Sequence, residues 1–424
     1  MGGSDLERVA VVAAFLSRGR RILLLRRSAQ VGTYRGRWAG VSGYVERVPL
    51  EQALTELQEE VRIEASEVRL RGIGAPVPVD DDDEGRRWLV YPFLFAFAPP
   101  REPEPDWESV ESRWVKPEEV RELPTVPGLA DVVAAVWPPF GSVALWRAAV
   151  EIAGDRVSGA TSLAARALNA FRRYASAREA NDRPDLRVRV ARALAALRPS
   201  MGIIPHVMAR AVSDEAPDST EIERELAEAA QRTAARAGRR LSRARRILTH
   251  SASAVCEEAL LRWAKSARRA EVIVTESRPR QEGVALAHRL TSAGLRVRLI
   301  TDAQMGLAVR EVDAVVVGAD AITDDNQLLN KAGTRLAVLA AREAGVPAHA
   351  VCQTHKIAPP GWPMALERQD PADVAEAQGF RLDNVAFDAT PLDWFAAVIT
   401  EEGRLTPRLL ARTRAVLSRS ALVP

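Results

Sequence analysis

The N-terminal part of the chain alternates apolar and polar residues in short runs, a pattern that is typical of half-buried β-strands. One segment among these runs, Pro49–Val61, instead repeats its apolar residues at helical spacing. The strand-like runs are residues 8–16, 21–26, 87–98 and 112–115. Before a change of composition at residues 136–141, the sequence therefore predicts a sheet with one helix packed against it.

Beyond this change, residues 143–238 have the pattern of almost continuous amphipathic helix, with turn signals at residues 154–155, 182–184 and 217–218. After residue 245 the chain alternates apolar β runs, at residues 271–275, 296–301, 314–317 and 348–351, with helical segments at 282–293 and 334–344. Such alternation predicts an α/β fold with a parallel, doubly wound sheet. The expected domains are residues 1–138, a helical subdomain at 139–240 and a sheet domain at 241–424.

The composition is that of an ordinary globular protein, with 47% hydrophobic and 27% charged residues among 424. Two cysteines, Cys256 and Cys352, are too few for a disulfide framework. The early apolar run at residues 9–16 is too short to span a bilayer, and acidic residues at its start argue against a secretory signal. The sequence therefore predicts a cytoplasmic protein without a membrane partner.

The net charge of +3 comes from arginines that are spread between acidic residues along helices. Proteins that bind nucleic acids more often cluster basic residues with aromatic ones, so nucleic acid is not an expected partner. Arginines in pockets suit anionic small molecules instead.

The predicted helix Pro49–Val61 carries three carboxylates on one face. Glu56, Glu59 and Glu60 stand at positions i, i+3 and i+4. A divalent cation would relieve their repulsion, and hard oxygen ligands suit Mg²⁺ or Mn²⁺. A solvated acidic helix face is the alternative. The acidic run at residues 80–84 leaves a similar choice between a solvated loop tip and a cation site.

The sequence around this helix resembles the Nudix hydrolase family. The similar segments are residues 38–46, 55–61 and 114–120, within a resemblance that covers about residues 5–135. The resemblance implies an α/β/α sandwich that cleaves nucleoside diphosphates linked to another group. It also implies bound metal ions that clamp the diphosphate and activate water.

The resemblance implies that Glu56, Glu59 and Glu60 hold Mg²⁺ or Mn²⁺, with Glu60 also catalytic. Two positions depart from the family motif. Thr55 stands where the family has an arginine that orients the carboxylates, and Arg62 replaces the final glycine. Loss of such orienting groups commonly costs about 10–100-fold in metal affinity or activity, so hydrolysis and binding alone both stay open.

Polar and ionisable residues follow each predicted strand of the C-terminal part. They lie at residues 249–253, 275–280, 301–302, 318–322 and 352–356. Because ligands of open parallel sheets bind at the carboxyl ends of the strands, we expect these five segments to form one site. Ordinary loop residues would explain one or two of the segments but not all five.

Two predicted helix N-termini at this edge favour phosphate, because backbone N–H groups and the helix dipole attract anions there. The first is preceded by Ser251 and Ser253. The second, where a lysine adds a positive charge, is preceded by Asn330, Lys331, Gly333 and Thr334. Asp320 lies between them and is a candidate for proton transfer. The arrangement predicts a phosphorylated sugar or nucleotide as the ligand.

Several motifs of this region are similar, in order and spacing, to a superfamily of initiation factor 2B subunits and sugar-phosphate isomerases. Its members include the alpha, beta and delta subunits, ribose-1,5-bisphosphate isomerase and methylthioribose-1-phosphate isomerase. The motifs are residues 198–201, 247–250, 275–279, 318–320 and 330–334. The resemblance covers about residues 142–400. It implies a helical subdomain on a Rossmann-like domain, assembled as a homodimer or larger homo-oligomer through the C-terminal domain.

The resemblance also assigns roles to individual residues. Asp320 occupies the position of the catalytic aspartate, and Ser251 occupies that of the isomerases' catalytic cysteine. The implied substrate-binding residues are Arg198, Ser253, Arg278, Asn330, Lys331, Gly333 and Thr334. A serine hydroxyl titrates far above neutrality, whereas a thiol can be tuned to form a thiolate. Cys256 is expected to point away from the pocket, while Cys352 ends a strand at its edge.

Two further departures, Ser158 for an arginine and Glu282 for a glutamine, weaken the expected phosphate contacts. Three hypotheses follow. The chain is a Nudix-type hydrolase fused to a domain that binds a phosphorylated sugar or nucleotide. Alternatively, it is a non-catalytic sensor or regulatory subunit. The third hypothesis is an aldose–ketose isomerase that uses Asp320 with Ser251, His250 or Cys352.

Overall fold

The computed structural model describes residues 7–98, 101–156, 158–176, 183–213, 219–267, 270–376 and 379–422. Contacts between residues divide the chain into two compact units. The first contains residues 1–156 and 166–198, and the second contains residues 157–165 and 199–424. Within the described residues, no helix is long and apolar enough to cross a membrane.

The first unit is built on a mixed sheet, in which eight strands fall within the described residues. They are β1 (Glu7–Arg18), β2 (Arg21–Arg27), β3 (Trp38–Ala39), β4 (Val41–Tyr44), β5 (Val68–Ile73), β6 (Val77–Asp81), β7 (Arg86–Phe97) and β8 (Ser109–Val115). The main path runs β3-β2-β1-β7-β5, and β4, β6 and β8 pair with β1, β7 and β2. The central β1–β7 pair is parallel, while the other pairs are antiparallel.

Helix α1 (Pro49–Val61) has the predicted bounds. It begins at a proline, whose fixed backbone suits the first helical turn, and ends where Arg62 takes a left-handed φ of 59°. Its apolar stripe, including Leu57 and Val61, is fully buried, and the helix contacts β1 and β4. The other helices begun in this part are α2 (Leu129–Val136), α3 (Val143–Gly154), α4 (Ala160–Ala175) and α5 (Pro184–Ala195).

The second unit contains the predicted doubly wound sheet, which is confirmed. Its strands in the described residues are β9 (Arg246–His250), β10 (Glu271–Thr275), β11 (Arg296–Ile300), β12 (Ala314–Val317), β15 (Ala348–Val351), β17 (Ala397–Thr400) and β18 (Gly403–Arg404). A smaller antiparallel sheet contains β13 (Ala321–Ile322), β14 (Gln327–Lys331) and β16 (Phe387–Pro391). The helices are α6 (Ile203–Ala211), α7 (Ser219–Arg240), α8 (Ala254–Ala264), α9 (Glu282–Ser292), α10 (Met305–Ala308), α11 (Thr334–Glu343) and α12 (Pro407–Leu417).

The strand order of the large sheet is β11-β10-β9-β12-β15-β17-β18, and all pairs except β17–β18 are parallel. The chain winds outward from β9 in one direction and then from β12 in the other. The apolar strands are buried on both faces, between two hydrophobic clusters that include Leu248 and Val315 on one side and Ile247 and Val316 on the other. The reversal of strand order therefore lies between β9 and β12, where doubly wound sheets bind their ligands.

Residues 143–238 are mostly helical, as predicted, and are divided into α3, α4, α5, α6 and α7. Helix α3 ends at Gly154, α5 begins at Pro184 and α7 begins at Ser219, which agrees with the predicted turns.

Asn330 and Lys331, for which the sequence predicted only a position before a helix, lie on β14, where Asn330 pairs with Asp388 and Lys331 with Phe387. Because β16 is distant in sequence from β14, this pairing could not be predicted from the local sequence pattern.

Gly283 in α9 offers a test of the close packing between this helix and the end of β10. A Cβ atom at position 283 would lie 1.7 Å from the backbone oxygen of Thr275. We therefore expect Gly283→Ala to lower the free energy of unfolding by about 2–3 kcal/mol, measured by urea unfolding of the full chain. At Gly306 no atom lies within 4 Å, so the control Gly306→Ala should cost nothing. Equal effects of the two substitutions would contradict the packing.

Candidate functional site

The carboxyl ends of β9 and β12 lie side by side in the second unit. The parallel register sets Val317 opposite His250, so the chain leaves both strands at the same edge. Gly318 packs directly against the turn that follows β9. A Cβ atom at Gly318 would lie 2.9 Å from Cβ of Ser253 and 3.6 Å from Oδ1 of Asn330. The structure thus brings two of the predicted ligand-binding residues to the segment that leads into Asp320.

Asp320 is held in this crevice through its backbone. Its N–H donates to the carbonyl oxygen of Leu329 at 2.8 Å, and its carbonyl oxygen accepts from the N–H of Gly202 at 3.0 Å. The residue is half-buried. Its carboxylate acts electrostatically on the thiols of both Cys256 and Cys352. Asp320 therefore lies among the groups that sequence analysis assigned to one site.

In the turn after β9, Ser251 and Ser253 were predicted to bind a phosphate, but they form hydrogen bonds within the protein. Ser251 takes a left-handed φ of 64°, and its N–H donates to Oγ of Ser277 at 2.8 Å. Oγ of Ser253 caps α8 by accepting from the N–H of Cys256 at 3.5 Å. The N–H of Ser251 is therefore already engaged and is not open to a phosphate. Its hydroxyl has no hydrogen-bond partner among the described residues.

The helix N-terminus at α11 already holds an anion, and this anion belongs to the protein. The carboxylate of Asp388 accepts from the N–H groups of Gly333 and Arg335 at 2.8 and 3.0 Å. Burial raises the pKa of Asp388 to about 6. Thr334 is equally occupied, since its hydroxyl donates to the carbonyl oxygen of Lys331 and accepts from the Asn330 amide. A phosphate bound at Gly333 and Thr334 would first have to displace Asp388.

Lys331 points its ammonium at Glu282, with Nζ 2.9 Å from Oε1. The lysine is buried, and Oε2 of Glu282 is a buried oxygen without a hydrogen-bond partner among the described residues. A ligand phosphate would therefore compete with Glu282 for Lys331. A ligand hydroxyl, in contrast, could donate to the unpaired Oε2, which costs free energy while it stays buried and unbonded.

Sequence analysis assigned no role to Lys356, although it lies in one of the segments that follow the strands. The residue is buried, and its ammonium donates to the carbonyl oxygen of Ala319. It also acts electrostatically on both cysteine thiols, as Asp320 does. An ammonium carries three donors, and the bond to Ala319 is its one hydrogen bond to the described residues. Lys356 thus adds a positive charge beside Asp320.

The two thiols and His250 do not supply a reactive group. Burial raises the pKa of Cys256 to about 11 and that of Cys352 to about 12, so both stay protonated at neutral pH. Cys256 was expected to point away, yet its thiol lies within electrostatic range of Asp320 and Lys356.

His250 has a structural role. Its Nε2–H donates to the carbonyl oxygen of Ala332 at 2.8 Å, and Nδ1 accepts from the Thr275 hydroxyl at 2.7 Å. Burial also lowers the pKa of His250. The imidazole is therefore neutral, with both nitrogens engaged.

The two predicted arginines have different positions. Arg278 is exposed after β10, where its N–H donates to Asp302 at 2.7 Å and its guanidinium donates to the carbonyl oxygen of Val374 at 3.0 Å. Arg198 is buried and donates to the carbonyl oxygen of Asp155 at 2.8 Å. The division between the two units falls directly after Arg198.

In the first unit, α1 turns two of its three acidic residues towards β4. Oε1 of the buried Glu60 accepts from the N–H of Ser42 at 2.9 Å. The carboxylate of Glu56 accepts from the Gln52 amide at 2.7 Å and fills the space beside Gly43. Burial raises the pKa of Glu56 to about 7 and that of Glu60 well above its usual range. Glu59 is exposed.

A fourth carboxylate, Glu108, joins this group from the loop before β8. Burial raises its pKa, and the charges of Asp106 and Glu59 add to the effect. Glu108 in turn acts on Glu56 and Glu60. Sequence analysis missed it because it lies about fifty residues beyond the helix, outside any helical pattern.

The donor chemistry of this acidic group fits Mg²⁺ or Mn²⁺, since mutually repelling carboxylates are the ligands that hard cations bind. Glu56 and Glu60 are the pair that fits. The predicted three-ligand set is not assembled, however. Within the described ranges, no three His, Cys, Asp or Glu residues come together closely enough to hold a metal ion.

The acidic run at residues 80–84 joins β6 to β7. Asp80 pairs with Arg87 at 2.8 Å, and Asp81 turns inward, where it accepts from the Tyr34 hydroxyl and from the Trp88 indole at 3.3 Å. Residues 82–84 are exposed, as expected of a solvated loop tip. Trp88 also contacts the ring of Tyr44, with 6.4 Å between ring centroids.

The raised pKa of Glu56 predicts how stability depends on pH. The folded value of about 7 lies above the ordinary 4.5, so the folded state holds a proton that the unfolded state releases. The resulting stability is present below pH 4.5 and is lost as the pH rises through 7. We compare the free energy of unfolding of Glu56→Gln with that of wild type, both in the presence of a chelator. This difference should be about 1–2 kcal/mol more favourable to the variant at pH 8 than at pH 5. The effect is kept to this size because the Glu56 side chain is only partly buried and solvent screens its charge. Urea unfolding measures this; Glu118→Gln, an exposed control, should behave as wild type. An unchanged pH dependence in Glu56→Gln would contradict the assignment.

Comparison with known proteins identifies relatives of both parts of the chain. The profile of the Initiation factor 2 subunit family matches residues 156–407, and that of the NUDIX domain matches residues 6–136. Ribose 1,5-bisphosphate isomerase of Archaeoglobus fulgidus is 38% identical over 170 residues, which are 38% of this chain and 54% of that protein. The enzyme of the same name from Haloferax volcanii is 32% identical over 289 residues, 62% of this chain and 88% of that protein. The chain thus spans about half the length of the first of these relatives.

Solved structures resemble the same region. The translation initiation factor eIF-2B of Pyrococcus horikoshii is 29% identical, with a TM-score of 0.54 over 62% of this chain and 97% of that one. A subunit of the tetrameric eIF2B beta2-delta2 complex of Chaetomium thermophilum is 22% identical, with a TM-score of 0.52 over 64% of this chain and 94% of that one. The second likeness is one of fold.

Proposed function

Because the chain belongs to the Initiation factor 2 subunit family, with a NUDIX domain at residues 6–136, we propose that its C-terminal part binds a phosphorylated sugar beside Asp320. One observation carries the proposal. At the reversal of strand order, Ser253 and Asn330 meet around Gly318, next to Asp320. This is the place where doubly wound sheets bind small molecules.

The chemistry of the crevice suits both parts of such a ligand. Lys331 and Lys356 supply positive charge for a phosphate, with Lys356 the less encumbered of the two because Glu282 neutralises Lys331. The unpaired Oε2 of Glu282 and the carboxylate of Asp320 accept hydrogen bonds from sugar hydroxyls. The names of the curated relatives make a pentose bisphosphate the first compound to test.

The candidate nucleophiles and bases near Asp320 are protonated or already hydrogen-bonded, which favours binding over isomerisation. The thiols of Cys256 and Cys352 are buried and protonated, and both nitrogens of His250 are engaged. Ser251 stands at the position of the isomerases' cysteine, and among the described residues its hydroxyl is hydrogen-bonded to no base that would activate it. We therefore propose a binding or sensing role for this part.

The Lys331–Glu282 pair gives the first functional test. Lys331→Ala should weaken binding of ribose 1,5-bisphosphate by about tenfold or more, because a charge-assisted contact is lost. Glu282→Gln should strengthen binding, since the lysine is then free to meet the phosphate. Isothermal titration calorimetry measures both, with the exposed Lys265→Ala as control. Wild-type affinity in Lys331→Ala, or no binding at all in the wild type, would refute the proposal.

For the NUDIX domain we propose hydrolysis of a nucleoside diphosphate linked to another group. The support is the pair of carboxylates at the half-buried Glu56 and the buried Glu60, which would hold Mg²⁺ or Mn²⁺. The ion would polarise the diphosphate and lower the pKa of a water molecule. Tyr44 directly follows Gly43, which touches Glu56, and its ring is 53% exposed. This ring is a surface on which a nucleobase can stack.

Hydrolysis is tested with nucleoside diphosphate sugars and dinucleotides in the presence of Mg²⁺ or Mn²⁺. We expect turnover that falls by about 10²–10⁴-fold in Glu60→Gln, because both a metal ligand and the contact with Ser42 are altered. The exposed Glu118→Gln serves as the matched control and should keep wild-type rates. Chromatography of the products measures the rates. Absence of turnover in folded wild-type protein, or equal rates in the two variants, would rule the hydrolase out.

A homodimer or larger homo-oligomer through the C-terminal part is also proposed. Three leucines on α10 and α11 are unusually exposed, namely Leu307 at 73%, Leu336 at 54% and Leu339 at 49%. These two helices contact each other, so the leucines form an apolar surface that a second copy could cover. Sedimentation equilibrium distinguishes an oligomer from a monomer.

A further inference from the structure

Four arginines surround a pocket in the second unit that shares no lining residue with the crevice at Asp320. The pocket has a volume of about 290 Å³. It lies where α7 covers the β17–β18 hairpin. Its lining comprises Arg236, Arg239, Arg240, Ala397, Ile399, Gly403 and Arg404. The floor is therefore apolar and the rim is basic.

The helix and the hairpin each fix part of this rim. Arg236, Arg239 and Arg240 stand at i, i+3 and i+4 on α7, so they share one helix face. Arg404 reaches the same pocket from β18, where it pairs with Ile399. The guanidinium groups converge because two elements are packed together, and this arrangement is not a feature of the local sequence alone.

These charges lack the carboxylate partners that other described arginines have, such as Arg224 with Glu228 on the same helix. Among the described residues, Arg239, Arg240 and Arg404 have no ion-pair partner, and Arg236 donates to a carbonyl oxygen, that of Glu401, at 2.9 Å. The carboxylate of Glu401 is turned away and accepts from Thr354 and Thr233. Like charges held close together repel, so an anion in the pocket would stabilise the fold.

A buried histidine lies behind the pocket wall, next to Ala397. His349 on β15 is paired in register with Ala397, so both side chains lie on the same face of the sheet. The residue is 5% exposed, and its Nδ1 has no hydrogen-bond partner among the described residues. Burial, together with Arg240 and Arg404, lowers the pKa of His349 to about 4. The imidazole is therefore neutral and offers an unused acceptor.

We propose that this arginine pocket binds a small phosphorylated compound. Guanidinium groups form paired hydrogen bonds with phosphate oxygens, and four of them suit at least two negative charges. The neutral imidazole of His349 behind the wall adds no charge that would oppose the anion. The volume lies at the small end of the range for ligand sites, which favours a compact metabolite over a polymer.

Calorimetry with pyrophosphate and with AMP tests the pocket, in chelator and in the Lys331→Ala background so that the other candidate sites do not contribute. Arg239→Gln combined with Arg404→Gln should weaken binding of at least one probe by about 10–100-fold, because two charge-assisted contacts are lost. Arg243→Gln combined with Arg245→Gln removes the same charge from neighbouring exposed positions and should change affinity by less than about twofold.

Three outcomes would overturn the proposal. Neither probe binds at millimolar concentration, or both double variants weaken binding equally, or only an RNA oligonucleotide binds. The last result would identify the arginines as a nucleic-acid surface. Because the measurement omits metal and uses the Lys331→Ala background, its result does not depend on the functions proposed for Asp320 or the NUDIX domain.

Discussion

The parallel pairing of β9 with β12 is the constraint on which the C-terminal part of the molecule depends. It reverses the order of the strands, and it sets Val317 beside His250 so that two chain segments leave the sheet together. Ser253 and Gly318 then touch, and a side chain at position 318 would not fit. The crevice at Asp320 follows from this register, because the apolar strands on either side leave the polar residues no other place to gather.

Charge compensation decides what the crevice can bind. Asp388 already occupies the N–H groups at the start of α11, and Glu282 already pairs with Lys331. A phosphate there has to displace a protein carboxylate, whereas Lys356 stays the less encumbered cation. In the first unit the situation is reversed, since burial and mutual repulsion raise the pKa values of Glu56, Glu60 and Glu108, and the charge of Arg27 offsets this only in part for Glu60 and Glu108. An anion that binds the crevice of the second unit must therefore displace Asp388 or Glu282. The acidic group of the first unit, in contrast, favours a cation.

Local periodicity was sufficient to predict the elements that bury a regular stripe or run. The bounds of α1, β10, β12 and β15 agree with the predicted segments, because apolar spacing and flanking turns are properties of neighbouring residues. The edge of the sheet where Ser253 and Asp320 lie could be predicted for the same reason. Contacts between residues that are distant in sequence could not be predicted in this way. Asp388 on β16 accepts from the N–H of Gly333, and Glu108 acts electrostatically on Glu60 of α1 from the loop before β8. These partners change the chemistry from what the motifs alone suggest.

The proposed site for a phosphorylated sugar lies at the reversal of strand order between β9 and β12. A crystal structure of the full chain soaked with ribose 1,5-bisphosphate tests this proposal. We expect a phosphate within hydrogen-bonding distance of Lys331 or Lys356 and sugar hydroxyls against Asp320 or Glu282. A ligand found only elsewhere, with the Asp320 crevice holding solvent, would contradict it.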